Sequence, residues 1–255
     1  MRKGLNVLYT FWCSLVFLIP FLVIYPFIYV CIQNKNWHRF GHKIIRFWST
    51  IFFFFTGMWI QKKWKFKPSK DKAYVFVANH FTYLDVPVGM NIVYNYFAYV
   101  GKSSVAKIPW FGYMFDQLHI AVNRSDKNSR VTTMKRGIKA LKGGRSVFIM
   151  PEGGIMSKEI PKMHQPFKDG PFVMAIENQV PIVPVSFVNL YKINPTSLLR
   201  WGIPKVIINE AIETKNLTSK DKEKLKSQVY DIIQGDLDEF YGLEKTTYNM
   251  EEKVN

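Results

Sequence analysis

The sequence predicts an α/β protein: a mixed sheet flanked by helices and preceded by a hydrophobic two-helix segment. Short apolar, β-rich runs recur at 73–78, 96–100, 118–122, 146–150, 182–188 and 203–209. Helical patterns stand between many of them, at 86–95, 128–142 and 170–179, with a charged helix near 219–241. Strands alternating with helices are the pattern of a sheet covered by crossover helices. Residues 5–32 contain no charge and exceed the roughly 20 needed to cross a bilayer core as a helix.

From the N-terminus, residues 1–62 read as membrane-inserting helices. No small-residue cleavage site follows the first apolar run, which is also long for a signal peptide. Pro20 and Pro26 lie inside it and are able to kink or split the helix. The second apolar run, 47–60, is short for a full crossing. Basic residues border both runs: Arg2 and Lys3 before the first, Lys35, Arg39, Lys43 and Arg46 between them, Lys62, Lys63, Lys65 and Lys67 after the second. A simple span favours positive charge on one side. A hairpin dipping into one leaflet and an ordinary single or double span both remain open. Residues 63–242 read as one α/β domain, and 243–255 as a loose polar tail.

Lys and Arg number 35 against 19 Asp and Glu, a formal net charge of +16. That excess calls for an anionic partner. The apolar, aromatic N-terminus points to membrane lipid, and no recognition-helix or RNA-binding signature points to nucleic acid. Cys13 and Cys31 both sit in the apolar run and fit neither a disulfide framework nor a zinc site. No metal and no cofactor is expected. His38 and His42, four apart in a basic stretch without a carboxylate, read as interfacial anchors.

Two stretches carry chemistry. In "YVFVANHFTYLDVPVG" a strand ends at Asn79-His80, and Pro87 sets a helix start near Leu84 or Asp85. Strand ends are where open α/β sheets bind ligands. On a continuous helix, side chains five apart diverge by about 140°, so a turn must intervene for Asp85 to reach His80. Asp85 is then either a plain helix N-cap or the carboxylate that holds one imidazole N–H while the other nitrogen takes a proton. In "VFIMPEGGIMSK" a strand runs into Glu152-Gly153-Gly154, a turn whose backbone N–H groups suit an anion or oxyanion. No nucleophile elbow, placed cysteine or phosphate-binding loop is present.

Taken in order, these blocks resemble the glycerolipid acyltransferase family. Asn79, His80 and Asp85 match its N-H-x4-D block, "IAVNRSD" with Arg124 its second, Glu152-Gly153 its third and "VPIVPV" its fourth. "GKSSVAKIPWFG" and "FKDGPFVMA" look like its intervening segments, with Lys102, Lys107, Lys168 and Gly170 in familiar places. The resemblance implies an α/β acyltransferase fold, His80 as base with Asp85 as its orienter, and Asn79, Lys102, Lys107, Arg124, Glu152, Gly153, Gly154 and Lys158 as substrate-binding residues. It implies acyl transfer from acyl-CoA or acyl carrier protein to lysophosphatidic acid, at the cytoplasmic face of the cell membrane. Phe81-Thr82 replaces the usual Gln-Ser, and Gly154-Ile155 stands where the family has Thr-Arg, removing a phosphate-contacting arginine. Another lysolipid, such as an acylated amino acid, is therefore the alternative acceptor. A non-enzymatic basic module that binds membrane is the alternative from another class.

Overall fold

A computed structural model describes residues 2–195 and 197–249. Seven strands form one mixed sheet in the order β1-β7-β6-β2-β5-β3-β4. They are β1 (Gln61–Trp64), β2 (Val75–Ala78), β3 (Phe97–Lys102), β4 (Ile120–Val122), β5 (Ser146–Ile149), β6 (Ile182–Phe187) and β7 (Lys205–Ile208). All neighbours pair in parallel except β6 with β7. The central strands are buried on both faces, which is why β2 and β6 read as unbroken apolar runs.

Helices cover the two faces separately. On one face lie α1 (Arg2–Gln33), α2 (His38–Phe55), α3 (Asp85–Ile92) and α4 (Phe111–Leu118), whose apolar residues share a core with Phe76, Phe97 and Phe148. On the other lie α5 (Lys127–Lys142), α6 (Gly170–Asn178) and α8 (Lys222–Tyr241), packed on Val75, Val77, Ala98 and Val147. The short α7 (Leu190–Ile193) follows β6.

α1 and α2 form a hairpin closed by a tight turn at Lys35–Trp37. Indole N–H groups of Trp12 and Trp48 donate to the carbonyls of Phe55 and Phe17 and lock the pair. α1 runs unbroken through Pro20 and Pro26. It is the one helix among the described residues long and apolar enough to cross a membrane. It also touches the body at both ends: Leu199 N–H donates to Thr10 Oγ1 at 2.8 Å, and Gln33 Nε2 to Tyr113 Oη at 3.3 Å. The outer side of the hairpin leaves Leu18, Leu22, Val23, Phe27, Phe47 and Phe54 exposed.

Four differences from the sequence expectation have physical causes. β1 lies in the basic border 61–64; at the sheet edge its lysines reach water while its backbone pairs with β7. α2 begins at His38, because the basic stretch supplies the polar side of an amphipathic helix, and it ends at Phe55 before Gly57. His42 is no interfacial anchor: it is buried, with its ring edge-on to Tyr96 and Phe97. The segment expected to be a loose tail is packed as far as Asn249. Thr246 N–H donates to Asp238, and Tyr248 lies against Phe167 and Tyr230. Residues 250–255 lie outside the described residues.

Gly89 lets α3 sit close on the sheet: a Cβ there would lie 2.3 Å from Tyr99 Oη and 3.3 Å from the Phe148 ring. The Tyr99 hydroxyl cannot simply swing away, since it donates to Val86 O at 2.8 Å. Gly89→Ala should therefore cost about 1–3 kcal/mol through overpacking. Gly235→Ala, in α8 with open space around it, should gain up to about 1 kcal/mol from helix propensity. Denaturant midpoints of the two variants in detergent check the contrast; equal midpoints would remove the packing argument.

Candidate active site

Three strand ends meet at the carboxyl edge of the sheet. β2 ends at Ala78, and Asn79 then turns inward rather than toward solvent. Its side chain donates to Phe187 O at 3.1 Å and accepts from Phe187 N at 2.8 Å. Asn79 is fully buried, so its work is to clamp the ends of β2 and β6 together.

The next residues wrap around one oxygen. Asp85 Oδ2 accepts from Phe81 N at 2.9 Å, Thr82 N at 3.0 Å and His80 Nδ1 at 2.9 Å. A turn at 82–85, closed by Asp85 N–H to Thr82 O, brings residues five apart onto one point. Asp85 is the first residue of α3 and not its N-cap, which is Leu84. Its carboxylate satisfies the preceding turn instead of the helix, while the helix's positive end still favours its charge. Asp85 is fully buried. Burial pushes its carboxyl above the ordinary range, and the bonds from His80, Thr82 and Phe81 pull it back down. With Nδ1 donating, Nε2 carries the free lone pair. It makes no hydrogen bond among the described residues, and the imidazole is 15% exposed at the edge.

Glu152 follows β5, the parallel neighbour of β2. Its Oε1 accepts from His80 N–H at 2.5 Å and its Oε2 from His164 N–H at 2.8 Å. It is buried and holds the backbone of His80. Burial pushes its carboxyl up to about 8, with the Asp85 charge adding to the rise and the two N–H bonds opposing it.

The glycine turn divides its duties. Gly153 has φ +85° and donates its N–H to Met150 O at 3.3 Å. That N–H is committed to the turn, so Gly154 is the better candidate to meet an oxyanion. Arg124 donates to Gly153 O, and Arg130 donates to Arg124 O at 2.7 Å. Lys168, whose N–H donates to Pro151 O at 2.8 Å, runs its side chain past Gly153. Arg124, Arg130, Lys168 and Gly153 border one cavity of about 920 Å³ with a floor of Val100, Val122 and Ile149. Lys102, Lys107 and Lys158 are exposed and do not line it. Ile155 is exposed and uncharged where the family arginine would stand.

A family model described as Acyltransferase matches residues 60–188, half of the chain and the whole of this edge as far as β6. The chain belongs to the acyltransferase family. Among relatives, the chloroplastic 1-acyl-sn-glycerol-3-phosphate acyltransferase of Brassica napus is 30% identical over 204 residues, 78% of this chain and 57% of that protein. The 1-acyl-sn-glycerol-3-phosphate acyltransferase of Haemophilus influenzae is 25% identical over 211 residues, 81% of this chain and 85% of that protein. The chain thus spans little more than half the length of its plant chloroplast relatives. The crystal structure of the 1-acyl-sn-glycerophosphate acyltransferase of Thermotoga maritima superposes with a TM-score of 0.76 at 20% identity. It covers 96% of this chain and 100% of its own, so the fold is the same.

Within that family fold, the residues that sequence reasoning left out of the site are Arg130 and Lys168. Arg130 had no sequence signal, and Lys168 stood in a family-like segment without a role; the α5 start and the loop before α6 bring both beside Gly153.

Asp85→Asn keeps the side-chain volume but removes the charge that supports a protonated imidazole. Turnover should fall on the order of 10²–10⁴ with little change in unfolding midpoint; unchanged turnover would reduce Asp85 to a turn residue. The folded state holds the Glu152 proton up to about 8, whereas an unperturbed glutamate loses it near 4.5. Between those values the folded state binds more protons, so this group's contribution makes stability fall as pH rises. Melting midpoints from pH 5 to 8 should decline less steeply in Glu152→Gln than in the parent. Parallel slopes would show that Glu152 does not titrate in that window.

Proposed function

We propose that this protein is a membrane-bound acyltransferase. It moves a fatty acyl group from an acyl-CoA or acyl-carrier-protein thioester to the free hydroxyl of lysophosphatidic acid, giving phosphatidic acid. The observation that carries the reading is the gathering of three N–H donors on Asp85 Oδ2, which leaves His80 Nε2 as a base at the sheet edge.

In this reading the acceptor hydroxyl gives its proton to His80 Nε2 as its oxygen attacks the thioester carbonyl carbon. The new C–O bond forms a tetrahedral oxyanion, for which the Gly154 N–H is the candidate donor. The C–S bond then breaks, and the departing thiolate takes the proton back from the imidazolium. Asp85 holds the ring in one tautomer and steadies its charge. No acyl-enzyme is required, because the thioester is already activated, and the donor is a cosubstrate rather than a bound cofactor.

Arg124 is the principal partner for the acceptor phosphate, with Lys168 beside it at the same turn. Guanidinium offers a bidentate fork where ammonium offers a point charge. Ile155 favours a second reading, in which the acceptor lacks a phosphate monoester, such as an acylated amino acid. A non-enzymatic membrane-binding module is the reading from another class; unimpaired acyl transfer by His80→Ala would favour it.

The hairpin supports a seat on one leaflet at the cytoplasmic face. Contacts of α1 with the body at Thr10 and Gln33, and its exposed apolar side, support a seat along the membrane rather than across it. Basic residues at its borders add about 1 kcal/mol each near anionic headgroups. Protease-sensitive tags inserted at Asn34 and Lys62 should be cut from the same side of sealed vesicles; cutting from opposite sides would establish a span.

Arg124→Ala should raise the KM for lysophosphatidic acid more than it lowers kcat in a labelled acyl-transfer assay. Ile155→Arg should improve use of the same acceptor. If Arg124→Ala changes neither constant and the parent handles lysophosphatidic acid poorly, the acceptor is a lysolipid without that phosphate.

A further inference from the structure

We infer that the outer face of α5 docks an acidic carrier protein that brings the acyl thioester to the site on a phosphopantetheine arm. The inference rests on the acyl-transfer reading and selects between its two donors. α5 carries six basic residues, Lys127, Arg130, Lys135, Arg136, Lys139 and Lys142, and no acidic one in sixteen positions. Arg136 pairs with Asp116, and Arg130 turns back to the Arg124 carbonyl. Lys127, Lys135, Lys139 and Lys142 are exposed, and no carboxylate among the described residues pairs with them.

The spacing makes these four lysines one surface. At 100° per residue, Lys135, Lys139 and Lys142 fall within about 60° of one another, with Lys127 less than a quarter-turn from Lys142. Val131, 47% exposed, lies in the same stripe and adds an apolar contact. Favourable charge at a helix C-terminus accounts for Lys139 and Lys142 alone; it does not account for Lys127 at the first position.

Three features choose the occupant. The stripe runs about 22 Å along the helix, longer than one nucleotide headgroup needs and suited to an acidic helix. The sheet separates α5 from the α1–α2 hairpin, since the two pack on opposite cores. A membrane against the hairpin's outer side therefore leaves the α5 face free. The stripe also begins at the reaction edge. Arg124, just before α5, and Arg130, in its first turn, border the cavity that reaches Gly153, next to the Glu152 that holds the His80 backbone; the arm would enter there.

The test compares two donors carrying the same acyl group, acyl carrier protein and acyl-CoA, with the full chain in lipid nanodiscs. Lys135→Glu/Lys139→Glu/Lys142→Glu should raise the KM for the acyl carrier protein on the order of tenfold and leave kinetics with acyl-CoA unchanged. Added salt should weaken the parent's use of the carrier protein and scarcely affect the variant's. An unchanged carrier-protein KM, or an equal loss with both donors, overturns the inference. So does loss of binding to anionic vesicles of phosphatidylglycerol, which would assign the stripe to the membrane. If neither donor supports transfer by the parent, the acyl-transfer reading itself fails. Direct binding of holo-acyl carrier protein by parent and variant then still decides the docking face, absence of parent binding counting against it.

Discussion

The arrangement depends on one buried oxygen. Asp85 Oδ2 collects the N–H groups of Phe81 and Thr82 and the Nδ1–H of His80. A carboxylate with no water around it is costly unless several donors face it, and here the donors come from the same turn that carries the histidine. Satisfying the carboxylate and aiming the imidazole are therefore one event. The other oxygen, Oδ1, has no hydrogen-bond partner among the described residues. The burial that raises Asp85 and the bonds that lower it are both built into the loop.

That loop is held from outside by two buried polar side chains. Asn79 ties the end of β2 to β6, and Glu152, at the end of β5, ties the His80 backbone to the segment at His164. Both are buried. Positioning of this kind comes from neighbouring parallel strands ending together, the usual place for ligand sites in open α/β sheets.

The two faces of the sheet do different work. One is covered by the aromatic-rich hairpin, whose outer side stays apolar and whose ends are fastened to the body. The other is covered by α5, α6 and α8, with basic residues along α5 and a cavity bordered by all three helices. The apolar and the basic outer surfaces thereby lie on opposite sides of the sheet.

Sequence alone determined what depends on near neighbours. The uncharged run 5–32, most of the strands and the pairing of His80 with Asp85 across a turn were legible, because hydrophobic period and turn chemistry act over a few residues. It failed where a local pattern had two outcomes. Gln61–Trp64 is polar enough to be a membrane border and is an edge strand, and His42 sits in a basic stretch yet faces the core. Partners 72 and 108 residues apart, Glu152 to His80 and Asn79 to Phe187, were decided by tertiary structure only. So was the meeting of Arg124 and Lys168 at Gly153. These contacts exist because parallel strands distant in sequence end side by side, and no local propensity encodes which ones do.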